Sequence, residues 1–156
     1  MSVKTKDANS HSLNTDSREL APLAEPIPRE TQIAELAHVQ VLVDSTPDNP
    51  QRGYYVYRAS ASEIPQTLLE IGRLREETFR TVGEGTGLSR DVDSFDQDYD
   101  HFICWDKRNQ EISGGYRVGR VDRILKAKGT KGIYTNTLFN LETLLLTDFK
   151  ESTLEA

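Results

Sequence analysis

The residues best equipped for chemistry lie in a polar stretch between positions 91 and 117. Five aspartates open this stretch, and a short apolar segment, residues 101–105, follows them. A polar turn and a second strand-like run then lead to Arg117. Carboxylates at the mouth of a hairpin whose second strand ends in an arginine can form a charged site for a polar amine. The five aspartates are Asp91, Asp93, Asp96, Asp98 and Asp100.

Two arginines are candidates to pair with these carboxylates. Arg75 is predicted to lie on a helix beside an apolar stripe, and Arg117 on a strand whose alternate residues face a core. An arginine in such a place is costly unless a carboxylate pairs with it, and Asp93 and Asp96 are the obvious partners. The residues alone leave two interpretations open, a structural ion-pair network and the polar wall of an active site.

The same stretch does not have the pattern of a metal site or of a His/Asp charge relay. An EF-hand loop numbered from Asp96 would place His101 at position six and Lys107 at position twelve, where glycine and glutamate are required. A solvated acidic loop is therefore the prediction, with no metal. His101 and Asp106 have the spacing of the glycerolipid acyltransferase relay, but on one strand they would lie on opposite faces.

Two further segments have patterns that suggest a role. The sequence GEGTG, residues 83–87, follows a helix instead of opening one, so it predicts a flexible connection that can cover a substrate, and not a phosphate-binding loop. A basic run with a single acid, Asp122, favours docking of an acidic partner or an anionic surface. A solvated helix face is the alternative. The basic residues are Arg120, Arg123, Lys126, Lys128 and Lys131.

The predicted elements around these residues imply an α/β fold. Aromatic and β-branched residues predict strands at 54–57, 101–105 and 111–118. Apolar spacing predicts a long helix over 62–82, capped by Ser62, and a short helix over 122–128. An extended segment is predicted over 132–139. This order gives a mixed sheet with flanking helices.

Composition divides the chain of 156 residues into three parts. Residues 1–50 contain no aromatic residue and are predicted to be a largely disordered arm with a short helix near 29–38. Residues 53–146 are predicted to fold, and 147–156 form a tail.

The net charge of −6 argues against nucleic-acid binding. A single cysteine excludes an internal disulfide, and no signal peptide or spanning segment is visible, so a cytoplasmic protein is expected.

Three linked motifs resemble the amino-terminal half of the GNAT-like N-acyltransferases of ornithine- and glycine-lipid synthesis, often called hemolysin-like. The motifs are EIGRLREETFR, DVDSFDQDYDHFICWD and EISGGYRVGR, and the similarity extends over about residues 58–146. A more distant similarity is to acyl-homoserine-lactone synthases. The residues that meet the family pattern are Arg75, Phe79, Asp91, Asp93, Phe95, Asp96, His101, Gly115, Tyr116 and Arg117.

The resemblance implies a GNAT-like fold and an activity. The family moves a 3-hydroxyacyl group from acyl carrier protein to the α-amine of an amino acid, with no bound cofactor and with an acyl carrier protein or acyl-CoA thioester as co-substrate. By this resemblance Asp93, Asp96 and His101 are the candidate catalytic groups, and Arg75, Phe79 and Arg117 bind substrate. The basic run would dock the acidic carrier, and contact with the inner face of the membrane would be peripheral.

In the family, this region continues into a strand, loop and helix that bind the thioester carrier. Here the sequence ends at ESTLEA, so the resemblance implies an end before the carrier-binding half. Two rival functions remain: a signal synthase that acylates another amine, and a non-catalytic module that binds acyl carrier protein. The sequence does not identify the amine, the acyl length or the oligomeric state.

Overall fold

The structure, a computed structural model, describes residues 20–45, 53–139 and 154–156. A five-stranded sheet in the order β1-β2-β3-β4-β5 organises these residues. The strands are β1 (Gln40–Asp44), β2 (Tyr54–Ala59), β3 (Asp100–Asp106), β4 (Glu111–Arg120) and β5 (Leu154–Glu155). The α-helices are α1 (Arg29–Leu36), α2 (Pro65–Thr81), α3 (Val121–Lys128) and α4 (Thr135–Leu138), and 3-10 helices cover Ser94–Gln97 and Gly129–Gly132.

All strand pairings among the described residues are antiparallel, whereas the sequence predicted a mixed sheet. The α/β architecture of a sheet with flanking helices is as predicted. The hairpin of β3 and β4 sets the position of the polar stretch, because its register places His101 opposite Arg117. Burial alternates along β3, as expected for a half-buried strand, and the buried side chains are His101, Ile103 and Trp105.

The short helix predicted near 29–38 is present as α1, Arg29–Leu36. The other described residues of the arm, 20–28 and 37–45, are also held against the fold, where the sequence predicted a largely disordered arm. Leu36 and Val39 are buried in the main core, and the following residues form the edge strand β1. Ile27 donates its backbone N–H to Glu70 at 2.9 Å. The prediction relied on composition, whereas this segment is held by the two buried aliphatic side chains, by pairing of β1 with β2 and by hydrogen bonds to α2. Residues 1–19 lie outside the described residues.

Helix α2 packs against the sheet and contributes to the main core. Ile64 and Leu68 are buried against Ile103 and Trp105. The helix begins at Pro65, as expected for a proline in the first turn. Ser62 does not cap it; Glu35 of α1 accepts the backbone N–H groups of residues 66 and 67 at 2.8 and 2.7 Å. A carboxylate from another helix therefore replaces the predicted local cap and fixes α1 to α2.

A second, smaller core lies where β4 meets α3. It consists of Tyr99, Val121, Ile124 and Ile133, which are all buried. The segment 132–139 is not extended as predicted, because α4 starts within it, and Glu155 of β5 accepts the first backbone N–H groups of this turn. Residues 140–146 of the predicted folded part and most of the predicted tail, 147–156, lie outside the described residues.

The GEGTG loop is fixed to α2, which corrects the prediction of a flexible cover. The buried Glu76 carboxylate accepts four hydrogen bonds: from Arg80 at 2.7 Å, from the backbone and side chain of Thr86 at 2.8 and 2.6 Å, and from the Gly87 backbone at 2.9 Å. Arg80 also donates to the carbonyl groups of Ala21 and Leu88. The Glu76 carboxylate thus links the helix to the loop, and its partner Arg80 links both to the arm.

The Glu76 site predicts an acid-sensitive contribution to stability. The hydrogen bond from Thr86 lowers the pKa of Glu76 to about 2, with the bonds from Arg80 and the two backbone N–H groups adding to the effect. The folded-state pKa lies below the unfolded one, so this stabilisation is present above about pH 4.5 and is lost as the pH falls toward 2. Glu76→Gln should lower the melting temperature at pH 7 and flatten its decline between pH 5 and 2, as followed by circular dichroism. An unchanged pH profile would contradict this assignment.

Candidate functional site

Asp96 is the centre of the predicted charged cluster, and its side chain is fully buried. Its two oxygens accept four hydrogen bonds: two from Arg75 at 3.1 and 2.9 Å, one from Arg117 at 3.1 Å, and one from the backbone N–H of Asp93 at 2.9 Å. Burial alone would raise the pKa of Asp96, but the Arg75 and Asp93 bonds and the two positive charges outweigh it, and the pKa is lowered. This carboxylate is ionised, with its acceptor capacity filled.

Arg75 projects from α2 and uses most of its donors to hold the acidic loop. Besides the two bonds to Asp96, Nε donates to the backbone carbonyl of Asp91 at 3.1 Å, and Nη2 donates to the same carbonyl. The Asp91 carboxylate lies 3.6 Å from Arg75 Nε, and burial raises its pKa. Arg75 therefore fixes the geometry of residues 91–96 relative to the helix.

Arg117 contacts Asp96 on the side opposite Arg75, and two aromatic rings lie near its guanidinium group. Its Nη1 donates to Asp93 at 2.7 Å and to Asp96 at 3.1 Å. The guanidinium carbon lies 4.9 Å from the centre of the Tyr134 ring and 5.6 Å from that of Tyr99. The rings and carboxylates together hold the guanidinium in place, and no sequence pattern indicated the two tyrosines.

Asp93 begins the short 3-10 helix and belongs to the same cluster. Its Oδ1 accepts the backbone N–H groups of Phe95 and Asp96 and the bond from Arg117. Asp93 and Asp96 form a reciprocal capping box, because each side chain accepts the other's backbone N–H. All of the bonds to Asp93 within the described residues go to Oδ1, and the side chain is 34% exposed. Oδ2 remains available to a ligand.

His101 is buried below the cluster, on β3. Its Nε2 lies 2.8 Å from the backbone carbonyl oxygen of Asp96. A carbonyl only accepts hydrogen bonds, so Nε2 carries the proton. Burial lowers the pKa of His101 from its usual value, which keeps the ring neutral at pH 7 and leaves Nδ1 as the basic nitrogen.

A pocket of about 480 Å³ lies between α2 and the β3–β4 hairpin. Arg75, His101 and Arg117 contribute its polar wall, and the remaining lining is largely apolar. Phe79 lines the pocket and is 42% exposed, so it stands at the rim and not in the core. The pocket therefore joins a charged end to an apolar wall formed by Ile71, Leu74, Phe102 and Ile112.

The predicted basic surface is only partly available for docking. Arg120 pairs with Asp122 at 3.0 Å, and Lys128 pairs with Asp98 at 2.6 Å. The remaining three basic residues are exposed and have no ion pair among the described residues. This unpaired basic surface consists of Arg123, Lys126 and Lys131.

Two further findings concern the described ranges only. No three His, Cys, Asp or Glu side chains in them are grouped so that they could hold a metal ion. None of the helices in the described part of the chain has the length and apolar character needed to cross a bilayer.

Comparison with curated proteins finds relatives of one kind. The chain is 33% identical over 138 residues to a glycine N(alpha)-acyltransferase of Bacteroides thetaiotaomicron, which covers 85% of this chain and 40% of the relative. It is 31% identical over 134 residues to a glycine N(alpha)-acyltransferase of Phocaeicola vulgatus, covering 83% of this chain and 40% of that protein. The chain thus spans two fifths of the length of these relatives. No solved structure matches it significantly.

The profile of the acetyltransferase (GNAT) domain matches residues 74–156, which is more than half of the chain. The match begins within α2, includes the whole Asp–Arg cluster from Asp91 onward, and continues through the hairpin to β5. It agrees with the sheet and flanking helices described above. The chain belongs to the acetyltransferase (GNAT) domain family.

Proposed function

We propose that the protein is an N-acyltransferase that moves a (3-hydroxy)acyl group from acyl carrier protein to the amine of an amino acid in the synthesis of aminolipids of the ornithine- and glycine-lipid kind. The observation that carries the proposal is the Arg–Asp–Arg cluster at one end of the pocket with an apolar wall. Glycine is the first candidate for the amine, because both relatives are glycine N(alpha)-acyltransferases. The protein acts in the cytoplasm, with peripheral contact at the inner membrane face.

The cluster offers both charges that an amino acid requires: Arg117 lines the pocket, and Asp93, which is not itself a lining residue, pairs with Arg117 at 2.7 Å. Asp93 Oδ2 has no hydrogen bond among the described residues and can accept one from an ammonium group. Asp96 is unsuited to this task because its four acceptor positions are filled. We assign Asp96 and Arg75 to positioning, Asp93 to the amine, and His101 Nδ1 as a second candidate base.

The reaction needs a neutral amine and a polarised thioester. The acceptor ammonium gives one proton to the base, and its nitrogen attacks the thioester carbonyl carbon. The C–N bond forms, the C–S bond breaks, and the nitrogen loses a second proton as the carrier leaves as a thiol. No covalent intermediate with the protein is required for this step.

The acyl donor is expected to approach along the unpaired basic surface. Acyl carrier protein is acidic, and complementary charge accelerates encounter with such a partner. The surface follows directly on β4, the strand that carries Arg117, so a docked carrier would deliver its thioester near the charged cluster.

The direct test is to incubate the full-length protein with 3-hydroxyacyl carrier protein and glycine, and to detect N-acylglycine by mass spectrometry. Parallel reactions with ornithine and with S-adenosylmethionine separate the aminolipid enzyme from a signal synthase. Binding of the acyl carrier protein with no acylated product from any amine would overturn the proposal in favour of a non-catalytic binding module.

Charge reversal on α3 should act on the donor and not on the chemistry. For the double variant Arg123→Glu/Lys126→Glu we expect roughly a tenfold lower kcat/KM with acyl carrier protein, since charges at the rim of an interface govern association. With acyl-CoA, which does not need the protein surface of the carrier, the change should be small. The matched control is the double variant Arg29→Glu/Arg108→Glu, which makes the same change of charge at exposed positions away from α3. Equal losses with both donors would contradict docking at this surface.

A further inference from the structure

The two arginines of the cluster differ in how many of their N–H donors are in use. Arg75 donates through Nε, Nη1 and Nη2, with four bonds in all to Asp91 and Asp96. Arg117 donates through Nη1 alone, to Asp93 and Asp96. Of the five N–H donors of a guanidinium, Arg117 therefore keeps those on Nε and Nη2 free of any described partner.

The free donors of Arg117 are accessible to a ligand. Among the described residues, Thr67 Oγ1 and Arg90 Nε are the buried side-chain polar atoms without a hydrogen bond. The nitrogens of Arg117 are absent from this group, so the unused ones are not sealed in the core. Arg117 also lines the pocket, and its side chain is 16% exposed.

We propose that the Nε–Nη2 edge of Arg117 binds the carboxylate of the acceptor, so that the acceptor class is α-amino acids with a free carboxylate. The inference rests on the proposed function. Nε and Nη2 present two parallel N–H groups, the arrangement that binds a carboxylate through both oxygens. The Nη1 bonds to Asp93 and Asp96 and the neighbouring rings hold this edge in a fixed orientation before the ligand arrives.

The geometry also matches the second charge of the acceptor. Arg117 Nη1 and Asp93 Oδ1 are 2.7 Å apart, so the free edge of the arginine and the free oxygen of Asp93 belong to adjacent groups. A carboxylate and an ammonium separated by one carbon can contact both. Amides, esters and amino alcohols of the same size lack the carboxylate and should be poor acceptors.

The test compares glycine with glycinamide in two measurements on the full-length protein. One is binding of each compound without donor, by NMR titration, and the other is kcat/KM for acyl transfer. Wild-type protein should favour glycine in binding, and the preference in both measurements should fall roughly ten- to a hundredfold in Arg117→Lys, the worth of a charged hydrogen-bond pair. Lysine retains the positive charge beside Asp93 and Asp96 but lacks the two-donor edge.

Two control variants make the outcome specific to this edge. Arg75→Lys should weaken the binding of glycine and of glycinamide by the same factor, because Arg75 donates its hydrogen bonds to Asp91 and Asp96 within the protein. Arg58→Lys, in a pair with Asp100 outside the pocket, should leave both substrates unchanged. If Arg117→Lys does not fold, the wild-type preference for glycine in binding still tests the carboxylate requirement.

The outcomes separate this inference from the proposed function. Acyl transfer with no preference for glycine, or with a preference that survives in Arg117→Lys, overturns the carboxylate site and leaves the acyltransferase standing. Preferential binding of glycine that depends on Arg117, with no transfer to any amine, supports the site and overturns the proposed function. No binding and no transfer of either compound overturns both.

Discussion

Asp96→Asn is expected to abolish most acyl transfer and to destabilise the fold by roughly 3–5 kcal/mol, the cost of breaking a buried ion pair. The side chain is fully buried, and its negative charge faces both Arg75 and Arg117. An asparagine amide would leave the two guanidinium groups without their shared counter-charge. It would also turn an N–H donor toward one of them. Arg117 would move, and displacement of a substrate-positioning group by about 1 Å can cost on the order of a hundredfold in rate.

The pH dependence of unfolding distinguishes this mechanism from a general loss of packing. The pKa of Asp96 is lowered in the folded protein, so its stabilisation is present above the usual aspartate pKa and is lost as the pH falls through the lower folded value. Asparagine does not titrate, so the difference in unfolding free energy between wild type and variant should shrink in acid. Urea unfolding at pH 7 and at pH 3 measures it. The control Asp100→Asn, in a partly exposed pair with Arg58, should cost about 1 kcal/mol or less.

The elements nearest the site were predictable because their local signals are strong. The long amphipathic helix, the hairpin of β3 and β4 and the basic helix all lie within a few residues of their predicted positions. The pairing of Arg117 with Asp93 and Asp96 followed from the cost of leaving an arginine unpaired on a half-buried strand. The charge pattern and the strand periodicity together therefore predicted the central ion pairs of the cluster.

The parts that failed depend on contacts between segments distant in sequence. Glu76 reaches the GEGTG loop ten residues on, and Glu35 caps a helix more than thirty residues away. The order of residues 20–45 rests on such contacts too, so composition alone could not reveal it. Sequence alone also could not show which N–H donors of Arg75 and Arg117 are in use. The two arginines differ in the carbonyl and carboxylate groups that surround them.

Gly72→Ala should destabilise the protein and lower activity, although alanine favours a helix interior by about 1 kcal/mol over glycine. A Cβ atom at Gly72 would lie 2.3 Å from Val92 Cγ2 and 2.9 Å from the backbone oxygen of Asp91. Asp91 also donates its N–H to the Gly72 carbonyl at 2.9 Å, so the loop is in backbone contact with the helix there. The loop must move outward, and that overpacking costs roughly 1–3 kcal/mol after relaxation.

The displaced loop is the one that positions the cluster, which is why Gly72→Ala should affect activity as well as stability. The Asp91 carbonyl holds Arg75, and Asp93 and Asp96 follow it within five residues. A shift at Asp91 therefore reaches both carboxylates that hold Arg117, and the preference for glycine over glycinamide should fall along with kcat/KM. Gly114→Ala provides the control for stability, because a Cβ there meets no atom within 4 Å. A Gly72→Ala protein with raised melting temperature and wild-type acceptor preference would show that the helix and the acidic loop do not need this close approach.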